Sequence, residues 1–293
     1  MPRLFLTCVL VAAWSLCAGC GRDEAAISPA RMIAKGWNDY DAALYDDAER
    51  LFAGAVRRTV PTDELHLRAL YGQATTINLR RPGSAPARAR PLYEEVMRLN
   101  PGSDWAAWSS LALARMVDLP TVNEAAPLSA VVAAYQPVID AFPYHRAGEE
   151  AFTFQQAARV ASYLPEEEQR AADLMDRFVA EHPNSVFRSH VYRLLGHAYE
   201  ALGEYDKALA ALLRHHESYH VDARNPRSDY ASVYWTIATL ANYRAGDFTT
   251  ARRFYELMIK EYPTEKRVYT AQLALHRMDE IEAGLRTVPT PTP

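Results

Sequence analysis

Apolar residues recur at intervals of three and four along most of this chain, so its segments read as amphipathic helices separated by prolines and glycines. The pattern is sharpest in the C-terminal half, where it occurs twice in one phase. From His182 the chain reads HPNSVFRSHVYRLLGHAYEALGEYDKALAALLRHHESYH, and from Tyr234 it reads YWTIATLANYRAGDFTTARRFYELMIKEYP. With Tyr192 set on Trp235, Gly203 falls on Gly246, Tyr205 on Phe248, Ala208 on Ala251 and Leu212 on Tyr255. This predicts helix–turn–helix pairs. The small residues let the two helices of a pair approach closely, and Phe52, Tyr205, Phe248 and Tyr255 fill the space between neighbouring pairs.

The same phase runs upstream. Gly36, Tyr45, Ala48, Phe52 and Ala55 keep the spacing, and Pro61 ends that unit. Tyr93, Val96 and Pro101 close a second unit, with extra residues around Pro82-Gly83-Ser84 in its turn. Tyr135, Val138 and Pro143 close a third, and Ala171, Met175, Phe178 and Pro183 a fourth. Each proline stands where a helix must stop, because it cannot continue the backbone hydrogen-bond ladder. Leu164-Pro165-Glu166-Glu167-Glu168 reads as a helix start, with carboxylates at the positive end of the helix. Six hairpins are therefore expected between residues 29 and 265, with a capping helix from Lys266 to Leu285.

This spacing resembles the tetratricopeptide repeat (TPR). The resemblance implies an all-α, right-handed superhelical solenoid of about six hairpins over residues 29–285, with a C-terminal capping helix and no catalytic centre of its own. In that family, positions 2, 5, 9, 12 and 13 of each unit line a concave groove that holds a protein or peptide partner. Carried onto the units of secure register, this selects Trp37, Tyr40, Arg193, His197, Glu200, Thr236, Tyr243 and Arg244. Aromatic and arginine side chains carry much of the binding energy at protein interfaces. Tyr40 and Tyr243 have a second reading, as residues packed within the array.

The N-terminus changes the picture. Arg3 and the amino group precede an apolar run from Leu4 to Leu16, too short to cross a bilayer comfortably, so residues 1–19 read as a removed export signal. Ala18 and Gly19 lead into Cys20, and the stretch resembles a bacterial lipobox, although Cys17 stands where that motif usually has Leu. The resemblance implies acylation of Cys20, a linker over residues 20–28 and a lipid-tethered protein. Gly21 after the cysteine implies sorting to the outer membrane, facing the periplasm. All three cysteines lie in the first 20 residues, so a mature chain starting at Cys20 has no partner for a disulfide. With 49% hydrophobic and 23% charged residues and a net charge of −4 spread along the chain, composition argues against a nucleic-acid partner.

Two further stretches carry candidate chemistry. His216-Glu217-Ser218-Tyr219-His220 matches H-E-x-x-H, in which two histidines on one helix face bind zinc and the glutamate acts as general base. Against a zinc hydrolase, Arg214 and Asp222 flank the motif, a helical array supplies no active-site strand, and the register already places the end of a second helix there. His197, His215, His216 and His220 are read instead as a solvated helix end, so no catalytic role, metal or cofactor is assigned. The stretch LRRPGSAPARAR holds Arg80, Arg81, Arg88 and Arg90 without an acid and reads as an exposed basic loop. The tail over residues 286–293, ending TVPTPTP, reads as extended or disordered.

The pairing of a lipidated cysteine with TPR units narrows the resemblance. Pro183-Asn184-Ser185 followed by a Leu-Gly-x-x-Tyr-x-x-x-Gly-x-Tyr-x-x-Ala run to Ala208 looks like the BamD-type lipoproteins of the outer-membrane barrel-assembly machinery. That likeness implies a non-enzymatic adaptor in a bacterial envelope complex.

Overall fold

The computed structural model describes residues 27–119, 125–219 and 230–287. The expected signal, Cys20 with most of its linker, His220 and residues 288–293 of the tail lie outside the described residues. Among the described residues the secondary structure is entirely helical. The chain forms two compact units, with the boundary between Gly148 and Glu149.

The first unit holds α1 (Pro29–Asp41), α2 (Tyr45–Val56), α3 (Glu64–Leu79), α4 (Pro86–Leu99), α5 (Asp104–Asp118) and α6 (Leu128–Ala141). The boundary falls within α7 (Arg146–Val160). The second unit continues with α8 (Pro165–Glu181), α9 (Arg188–Ala201), α10 (Tyr205–Ser218), α11 (Ala231–Leu240), α12 (Phe248–Glu261) and α13 (Val268–Thr287). A π-helical turn, Ala241–Ala245, extends α11. Among the described residues consecutive helices pair as hairpins, and α13 follows as the expected capping helix, within two residues of its expected ends.

Local chemistry sets these boundaries. The Ser28 hydroxyl accepts from the Arg31 N–H ahead of Pro29, Ser103 Oγ accepts from the Ala106 N–H, and Asp247 accepts from the Thr250 N–H. Pro61, Pro101, Pro143, Pro183 and Pro263 each follow the end of a second helix. Within the last two hairpins, Gly203 and Gly246 turn the chain at φ of 77° and 69°, a left-handed conformation that glycine adopts without strain.

Cores form where small residues meet large ones. Ala48, Ala208 and Ala251 are fully buried, as are Phe52 and Tyr255. Gly36 of α1 and Gly72 of α3 flank the Phe52 ring, and a methyl group on either would lie within 3 Å of its Cε1 atom. Tyr205 and Phe248, expected to fill the space between hairpins, are only half-buried. They open α10 and α12, where a side chain covers the turn rather than the middle of the stack. Arg88 and Arg90, expected in a loop, lie on α4, because Pro86 already starts the helix. Their charges are met: Arg80 pairs with Asp46 and Glu49, Arg88 with Glu49, and Arg90 with Glu94.

Candidate partner-binding site

In α9, Val191, Leu194, Leu195, Ala198 and Tyr199 are buried. Arg193 and His197, one turn apart, share the remaining face. Gly196 lets α10 come close: a methyl group there would sit 2.7 Å from Leu212. In α11, Ser232 and Thr236, and Val233 and Ile237, are likewise one turn apart. Between α9, α10 and α11 these residues line a cavity of about 190 Å³, with Leu212 and His215 completing its wall.

Its electrostatics are unusual for a surface depression. Burial lowers the pKa of Arg193, although a guanidinium remains charged at any physiological pH. Its Nη2 lies 3.0 Å from His190 Nε2, and among the described residues it makes no ion pair with a carboxylate. Burial, and then the Arg193 charge, lower the pKa of His190 and of His197; at His197 the carboxylate of Glu200 opposes the shift. His215 Nδ1 lies 2.9 Å from both the Ser189 carbonyl oxygen and its hydroxyl, and burial pushes the ring down to a pKa of about 4. Arg193 is thus a cation among imidazoles held neutral. Thr236 donates its hydroxyl proton to the Ser232 carbonyl at 2.9 Å, so that proton is already committed.

The cavity gathers three of the residues expected on the groove, Arg193, His197 and Thr236, from two consecutive hairpins. Glu200 is half-buried outside its lining. Arg244 stands over the Tyr205 ring at 5.7 Å, and Tyr243 lies 54% exposed under the Arg277 guanidinium at 4.6 Å. Trp37 and Tyr40 belong to the first unit; their rings meet edge-on at 5.8 Å, and Trp37 also meets Phe52 at 5.1 Å. Leu212 and His215 were read in the sequence as a repeat position and a solvated helix end, and Ser232, Val233 and Ile237 were not singled out. His190 and Val233 occupy position 2 of their units, so the family rule already contained a signal for both.

The histidines at the end of α10 differ from expectation. His215 is only 5% exposed, and His216 meets Tyr230, Tyr234 and Phe254 edge-on at 5.7, 5.6 and 5.1 Å. This end of the helix is covered rather than solvated, because α11 and α12 pack aromatic rings against it. Glu217 is exposed and pairs with Arg214 at 2.9 Å. Among the described residues no three metal-ligating side chains converge.

Residues 233–264 match the family model described as "Tetratricopeptide repeat". That segment of the chain is thus similar to one TPR unit. The fold of the chain is similar to that of Pseudomonas aeruginosa pilF, with a TM-score of 0.55 at 13% identity over 86% of this chain and 99% of that one. Acl4, an assembly chaperone of RpL4, gives 0.52 at 14% identity, covering 89% and 100%. A TPR protein from Parabacteroides merdae gives 0.50 at 16% identity, covering 86% and 87%. At such identities the likeness is one of fold. No curated protein sequence matches the chain. TPR arrays are in general non-catalytic scaffolds for protein–protein interaction.

Proposed function

We propose that this chain is a non-enzymatic adaptor lipoprotein, held by acylated Cys20 at the outer membrane and facing the periplasm, where it docks a segment of another envelope protein. The observation that carries the docking site is the convergence of Arg193, His197 and Thr236, from consecutive hairpins, on one cavity. The lipid tether rests on the sequence from Leu4 to Gly21. Buried acyl chains contribute about 0.8 kcal/mol per methylene, so two or three of them make a lasting anchor.

A photo-crosslinking residue at Thr236, compared with one at the exposed Glu256 on α12, tests the docking site in intact cells. A discrete protein adduct is expected at Thr236 alone. Equal labelling at both positions, or none at Thr236, would overturn the assignment. Cys20→Ser is expected to move the protein from the membrane to the soluble fraction. The narrower reading, a BamD-like barrel-assembly subunit, is favoured by the Pro183-Asn184-Ser185 turn and requires the adduct to contain an outer-membrane β-barrel or a barrel-assembly component.

A further inference from the structure

The chain enters the first unit at an edge that carries exposed arginines. The Ile27 carbonyl oxygen, two residues ahead of α1, accepts from Arg58 Nη1 at 2.7 Å. This ties the entry point to the end of α2, where Arg57 and Arg58 are exposed, and Arg31 is exposed one turn along from Ile27. The same edge runs on through the turns between hairpins. The Trp105 indole at the start of α5 donates to Glu64 at the start of α3, and His145 Nε2, just ahead of α7, lies 3.5 Å from the Asp104 carboxylate. Two of these turns expose a large apolar side chain, Val60 at 59% and Tyr144 at 81%, where turns ordinarily carry polar residues. At the opposite end of these helices Arg80 and Arg88 are met by Asp46 and Glu49.

We propose that this edge of the first unit lies against the anionic headgroups of the membrane that holds Cys20. Arg31, Arg57 and Arg58 sit among the headgroups, and Val60 and Tyr144 enter the interface. This rests on reading Cys20 as acylated. Cys20 stands seven residues before Ile27, so their backbones are at most about 25 Å apart. A tether of that length keeps the edge at the bilayer, and surface contacts too weak to bind by themselves then suffice. A guanidinium pairs with phosphate through parallel N–H groups while its methylene stem tolerates apolar surroundings, and tyrosine favours the boundary between hydrocarbon and water. Asp63 and Glu64 share the edge, but Glu64 is engaged by Trp105 and Asp104 faces His145, so the attraction centres on the entry point. The first unit is thereby oriented. The turn between α1 and α2, at Leu44, points away, further out by the length of α1, about 20 Å.

A mature chain starting at Cys20 has no other cysteine, so a thiol placed elsewhere takes a label alone. An environment-sensitive fluorophore is attached at Val60→Cys, Tyr144→Cys or Leu44→Cys in the full-length lipidated protein. Each is reconstituted in vesicles of phosphatidylcholine, with or without phosphatidylglycerol. With phosphatidylglycerol, a lipid-borne nitroxide should quench the labels at 60 and 144, whose emission shifts to the blue. It should spare the label at 44, a position that is also exposed. That difference should be lost without phosphatidylglycerol, at high salt, and in Arg31→Glu/Arg57→Glu, because the attraction is between exposed charges and is screened. Circular dichroism checks that the variants fold. Equal quenching at 44 and 60 in vesicle-bound protein, or a difference indifferent to phosphatidylglycerol and to charge reversal, would overturn the seated edge while leaving the anchor standing. Protein that does not float with the vesicles would remove both.

Discussion

Arg193 Nη2 lies 3.0 Å from Nε2 of His190, one turn earlier on α9. A guanidinium only donates, so Nε2 must accept, and the single proton of His190 resides on Nδ1. Burial first, and the Arg193 charge second, hold this ring below the ordinary histidine pKa of 6.5. Nitrogen-detected NMR should find the Nδ1–H tautomer at pH 7. In Arg193→Met the titration midpoint should rise, though not fully, since burial remains. An unchanged midpoint would mean that the arginine does not act on His190.

His215 makes stability depend on pH. Its folded pKa of about 4 lies below the unfolded 6.5, so the unfolded chain binds the extra proton first. The stabilisation is complete above pH 6.5 and is lost as the pH falls through that window towards 4, at up to about 1.4 kcal/mol per unit. Facing the ring are Ser189, Arg193 and His190 on α9 and His216 on its own helix; the three charged or titratable groups among them all oppose protonation. Urea titrations of wild type and His215→Gln across this window should show a shallower pH slope in the variant. Parallel slopes would contradict the assignment.

Gly196→Ala separates packing from propensity. Alanine favours a helix over glycine by about 1 kcal/mol at most, whereas overfilling a tight contact costs about 1–3 kcal/mol. The added methyl would meet both Cγ and Cδ2 of Leu212 at 2.7 Å, so the packing term should win. Urea denaturation is expected to show a net loss of up to about 2 kcal/mol. Because Leu212 lines the cavity, peptide binding should weaken as well. A variant as stable as wild type would show that Leu212 swings aside freely.

Glu217→Gln tests the one peptidase-like motif. The residue is exposed and, among the described residues, pairs with its helical neighbour Arg214. Exposed pairs contribute about 0–1 kcal/mol, so the melting temperature should hardly move. If wild type hydrolysed a peptide substrate and this variant did not, the scaffold reading of α10 would fail.

Much of the hairpin series was legible because its determinants are local. Gly36 beside Phe52, Ala208 and Ala251 at one offset, and a proline after every second helix but α10 all report on the segment that contains them. The covering of His215 and His216 was not legible. Periodicity placed both near the end of α10, yet whether that end meets water depends on Tyr230, Tyr234 and Phe254, which come from the next hairpin. The groove residues divided in the same way. Arg193, His197 and Thr236 line one cavity, while Tyr243 and Arg244 stack with Arg277 and Tyr205, contacts that the repeat rule does not encode.

The cavity wall changes owner part-way round: α9 and α10 furnish one side, and α11, from the following hairpin, furnishes the other. No hairpin possesses the site alone, so a guest there acts as mortar between two bricks. In a stack whose units are held chiefly by their neighbours, the guest's binding energy adds directly to one joint. Occupancy should therefore make the C-terminal hairpins melt in step with the one before them, and a protease that nicks the vacant joint should be slowed when the partner is aboard.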